Sequence, residues 1–75
     1  MEKPKPKKEL VVHHEVGRLV CIYYTSDDAR MWAEKEADSF GQVEVRPKNK
    51  YVQLLIQPNF DVPEVIAYLD SYNNQ

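Results

Sequence analysis

A chain of 75 residues holds one domain with a thin core, because a domain this small buries only about 60% of the surface its unfolded chain exposes. Cys21 is the only cysteine, which excludes a disulfide staple and gives no sign of an oxidising compartment; no apolar run approaches a membrane span of ~20 residues, so the chain reads as cytoplasmic with no membrane contact. The formal net charge of −2 conceals a split: residues 1–8 set four lysines against one glutamate, and the rest sets six basic side chains against eleven acidic ones, a poor body for duplex DNA, where phosphate contacts dominate affinity.

In chain order, Lys3, Lys5 and Lys7 alternate with Pro4 and Pro6, and Lys8 follows. Proline removes backbone donors and the lysines repel one another, so residues 1–8 read as a flexible Lys/Pro tail ahead of a single α+β domain over 9–75. Leu10 to Val16 alternates weakly, with Leu10, Val12, His14 and Val16 on one side and Val11, His13 and Glu15 on the other. Val16 and Gly17 suit a tight turn. The run Leu19 to Tyr24, LVCIYY, is apolar on both faces and rich in β-formers, which predicts a central strand.

The segment after Tyr24 predicts a helix. Thr25 or Ser26 can cap it, and Asp27 and Asp28 suit the positive end of its dipole. Ala29, Trp32, Ala33, Ala37 and Phe40 share one side, and Gly41 reads as a left-handed stop. Val43 and Val45 then alternate with Glu44 and Arg46, and Val52, Leu54 and Ile56 with Tyr51, Gln53, Leu55 and Gln57. Turn residues Pro47, Lys48 and Asn49 join them into a hairpin with a basic tip. A second helix follows. Asp61 can cap it with Glu64 three residues on, Pro63 fits its first turn, and Phe60 can staple onto Val65. Val62, Val65, Ile66 and Leu69 form its buried stripe, continued by Tyr72, and the final residues read as fraying.

The order (β)βαββα with two amphipathic helices predicts a small α+β two-layer sandwich: a mixed sheet of three or four strands with both helices on one face. A right-handed crossover through the first helix makes the strand after it parallel, or nearly so, to Leu19–Tyr24. The stretch from Tyr23 to Val45, followed by the hairpin and FDVPEVIAYL, resembles the βαββα order of small thioredoxin-like proteins of the selenoprotein W type. That resemblance implies a redox pair between first strand and helix. Here the place reads Thr25-Ser26-Asp27-Asp28, so no redox role follows from it.

The helix-free face then holds Glu44, Arg46, Tyr51, Gln53, Leu55 and Gln57, with either the Leu19–Cys21–Tyr23 side or the Val20–Ile22–Tyr24 side of the central strand. Left uncovered, such a face often marks an interaction site. The alternative is that the N-terminal segment folds over it. Tyr23, Tyr51, Gln53, Leu55 and Gln57 are the candidate contacts for a second copy or another protein. Lys3, Lys5, Lys7, Lys8, Arg46, Lys48 and Lys50 are candidate phosphate contacts for single-stranded nucleic acid, with exposed tyrosines to stack on bases.

Chemistry is sparse. Adjacent strand residues point to opposite faces, so His13 and His14 do not suit one metal ion; His13 and Glu15 share a side, but no Cys/His cluster of zinc spacing completes a site. Cys21 lies in the apolar strand and reads as a buried, inert thiol. The acidic residues of the first helix read as dipole partners and solvated groups. The sequence therefore points to a noncatalytic interaction module that needs no cofactor, with single-stranded nucleic-acid binding as the alternative.

Overall fold

The computed structural model describes residues 8–74. The flexible tail assigned to residues 1–8 lies outside them except for Lys8, which is exposed. Strands β1 (Leu10–Val16) and β2 (Leu19–Tyr24) precede helix α1 (Asp27–Asp38), then come strands β3 (Gly41–Arg46) and β4 (Tyr51–Ile56), helix α2 (Val62–Asp70) and a 3-10 turn over Ser71–Asn74. The fold is α+β, as the periodicities predict.

The sheet order is β1-β2-β4-β3, and every neighbouring pair is antiparallel. A mixed sheet is therefore not formed. The crossover does return β3 in the direction of β2, since both oppose β4, but β4 lies between them as in a split βαβ unit. The hairpin β3–β4 inserts its second strand beside β2, where apolar Val52, Leu54 and Ile56 gain a central position.

Both helices cover one face. On it Leu10, Val20, Ile22, Val52, Leu54 and Ile56 are buried, packed with Ala29, Ala33 and Ala37 of α1 and Val65 and Leu69 of α2. The alanines let α1 lie close to the sheet. Trp32 and Phe40 at the helix flank instead build an aromatic seam: Trp32 meets Tyr68 at 5.8 Å and Tyr72 at 5.0 Å, and Phe40 meets Phe60 at 5.1 Å between ring centroids.

The caps agree with the sequence. Ser26 Oγ accepts from Ala29 N–H at 3.1 Å, and Asp61 Oδ2 accepts from Glu64 N–H at 3.4 Å. Gly41 is not a left-handed stop; only Gly17 among the glycines has positive φ, at 57°. Gly41 opens β3, and a Cβ there would collide with the Leu55 carbonyl, so the glycine permits close strand approach. The end of the chain does not fray through residue 74. Its 3-10 turn holds Asn73 against β1.

Candidate functional site

The open face is a grid set by the strand registers. Val11, Tyr23, Tyr51 and Arg46 form one row across the sheet; His13, Cys21, Gln53 and Glu44 form the next; Leu19, Leu55 and Gln42 form the third. β2 thus contributes its Leu19–Cys21–Tyr23 side. Among the described residues no segment crosses this face, since the chain from Leu10 joins the sheet as an edge strand instead of folding over it.

Apolar and aromatic side chains flank the middle row of this face. Val11 is 46% exposed, Tyr23 39% and Leu55 47%. Tyr23 and Tyr51 lie side by side, centroids 5.1 Å apart and planes tilted by 50°, a favourable aromatic arrangement. Burial pushes the Tyr23 hydroxyl above its ordinary pKa, and Cys21, Glu15 and Tyr51 nearby add to the shift. Cys21 is buried although it points to this side; burial raises its thiol pKa, and the Glu15 charge raises it further. A thiol held protonated is a poor nucleophile.

The rim is polar. Arg46 pairs with Glu44 at 3.0 Å, and His13 Nδ1 lies 2.7 Å from Glu15 Oε2. Gln57 falls past the end of β4, its N–H bonded to the Phe40 carbonyl and its own carbonyl to Arg18, so it stands apart from the grid. His14 takes the other side of β1, where Nε2 meets the Gly17 carbonyl at 2.8 Å. Among the described residues no group of three or more His, Cys, Asp or Glu side chains is placed to hold a metal ion.

The basic candidates gather at one end. Leu10 pairs with Tyr24, and Tyr24 N–H donates to the Lys50 carbonyl at 3.1 Å, so the start of β1, with Lys8, lies at the same end as the hairpin tip bearing Arg46, Lys48 and Lys50. Tyr23 and Tyr51 share the row of Arg46. Lys3, Lys5 and Lys7 lie outside the described residues. Acidic groups share this end on the helix side: Ser26 Oγ donates to Glu9 Oε1 at 2.8 Å, and Asp27 follows.

Sequence reasoning missed Asn73. Its Oδ1 accepts from the Glu9 and Leu10 N–H groups at 2.9 and 3.0 Å, and its Nδ2 donates to the Leu10 carbonyl at 2.7 Å. The side-chain amide thus stands where a neighbouring strand's peptide would stand. An asparagine near a chain end gives no local signal of such a contact. No helix of the described residues is long and apolar enough to cross a membrane. No family model matches the chain, and no curated protein or solved structure is similar enough to it to count as a match.

Proposed function

We propose that this chain is a noncatalytic interaction module that works in the cytoplasm and binds a protein surface through its open sheet face. The observation that carries this reading is the uncovered face itself, where Val11, Tyr23 and Leu55 remain solvent-accessible beside the Arg46–Glu44 and His13–Glu15 pairs. Exposed apolar and aromatic groups gathered on one uncovered face often mark an interaction site. Strands about 4.8 Å apart and six residues long give this face roughly 400 Å2 in projection. A standard interface takes about 800 Å2 per partner. One face of one copy therefore suits a weak or transient contact.

A photo-crosslinking side chain placed at Leu55 tests this. The expected result is one defined crosslinked protein, lost when Tyr51→Glu is added and absent when the probe sits at Lys35 on α1. The same products from both positions would count against the open face.

One observation favours a second reading, single-stranded nucleic-acid binding: the Tyr23–Tyr51 pair borders the basic end that carries Lys8, Arg46, Lys48 and Lys50. Base stacking on an aromatic ring contributes about 1–3 kcal/mol, and phosphate contacts weaken steeply with salt. Titration with a single-stranded oligonucleotide at low salt decides it. Binding that fails there ends the reading; salt-sensitive binding lost in Tyr51→Ala supports it.

A further inference from the structure

The two edges of the sheet are finished differently. In an antiparallel ladder, residues whose N–H and C=O face the partner strand alternate with residues whose groups face away. The Asn73 contacts show that Leu10 faces away from β2, so Val12 and His14 do as well, with the register regular as far as His14. Asn73 satisfies Leu10. Among the described residues nothing satisfies the outward groups of Val12 and His14. Beside them runs a groove whose α2 wall is Val62, Pro63, Ile66, Ala67 and Asp70, with Lys8 also lining it. The corresponding groove beside β3 is walled by Met31, Glu34, Lys35 and Asp38 of α1. Charges along an edge discourage strand addition; beside β1 they are Lys8 and Asp70 against four apolar α2 side chains, whereas beside β3 they are three of the four α1 side chains.

We infer that the β1 edge pairs with β1 of a second copy, antiparallel, about a two-fold axis at His13. That register sets Val12 opposite the partner's His14 and His14 opposite the partner's Val12. The outward groups of Val12 and His14 are then used on both strands. A register centred on Val12 would instead set His14 against the partner's Leu10, which Asn73 already occupies. The contact is self-complementary and closes on itself, whereas β1 adding to the β3 edge of a neighbour would propagate into a filament. The axis is perpendicular to the sheet, so α2 of each copy closes the apolar groove of the other, and the two open faces join on one side. The joined face covers roughly 800 Å2, the size a stable interface needs on each partner. The pairing is independent of what the open face binds.

The test is oligomeric mass by sedimentation, from about 1 µM to about 1 mM protein. The wild-type chain is expected to be dimeric in the upper part of this range. Val12→Pro and His14→Pro remove an outward N–H, a change tolerated on edge strands, and both should be monomeric with unchanged circular dichroism. Leu55→Lys on the open face should remain dimeric, which separates this inference from any self-association through that face. Amide exchange gives a second measurement that needs no variant: the Val12 and His14 N–H groups should exchange at least about tenfold more slowly in the dimer than in dilute protein. A wild-type chain that is monomeric at the highest concentration overturns the inference. So does a dimer broken by Leu55→Lys but not by the proline variants, or a monomer whose β1 edge is protected only by a peptide from another protein.

Discussion

The same four strands present two unlike faces. On one, Val20, Ile22, Val52, Leu54 and Ile56 are at most 1% exposed; on the other, residues one position along the chain, such as Tyr23 and Leu55, remain 39% and 47% exposed. Backbone and register are shared, so the difference comes from what lies above each face. The helices bring Ala29, Ala33, Ala37, Val65 and Leu69 to the first face and nothing to the second. Folding stability therefore resides in one face, which leaves the other free to vary with function.

The largest effect that can break this contrast is Leu54→Ala. The side chain is fully buried at the centre of the core, and losing it removes transfer energy and leaves a cavity, together about 2–5 kcal/mol. Small single-core domains carry about 3–5 kcal/mol of stability. Urea denaturation should show Leu54→Ala largely unfolded in the absence of denaturant. A stability loss below about 1 kcal/mol would mean that the core does not lie where Leu54 sits.

Asn73→Ala comes next, at about 1–2 kcal/mol, because three backbone groups of Glu9 and Leu10 lose their partner while water can reach part of the site. Thermal unfolding measures it, and Asn73→Asp should recover less than half, since a carboxylate cannot donate to the Leu10 carbonyl. This contact also marks the boundary of what the sequence discloses. Elements, caps and helix stripes follow from local spacing, so Ser26, Asp61 and the alanines of α1 could be read in advance. The side of the sheet bearing Val43, Val45, Val52, Leu54 and Ile56 also follows from alternation. The insertion of β4 beside β2, the role of Gly41 against Leu55 and the Asn73 clamp depend on contacts between residues distant in the chain, for which local periodicity carries no signal. LVCIYY is apolar on both sides, so alternation alone does not say which side faces the helices; the register settles it and makes Tyr23 a neighbour of Tyr51.

Cys21 sharpens the contrast from the open side, since it points there yet is buried. Its raised pKa gives a definite sign. The unfolded chain surrenders the thiol proton at lower pH than the folded one, so this group's stabilising contribution is present below the ordinary thiol range and declines as pH rises through it. Cys21→Ala should flatten that part of the alkaline stability profile. Alkylation of the native thiol at pH 8 should be slower than that of a free thiol by about tenfold. Equal rates would show that the centre of the open face admits reagent and solvent freely.

The smallest effect on folding is expected from Leu55→Lys, one residue from the largest. Leu55 lies opposite Leu19 and Gln42 on the open face and is 47% exposed. A lysine can lay its methylene stem over Leu19 and extend its ammonium group into water. Substitutions at such surface positions usually fall within about 0.5 kcal/mol, so its urea midpoint should match the wild type within error. A loss approaching that of Leu54→Ala would mean that Leu55 is covered in solution, by a second copy or by the N-terminal segment, and the two faces would no longer differ in kind. Unchanged stability with altered crosslinking at this face would assign Leu55 to binding while Leu54 holds the fold.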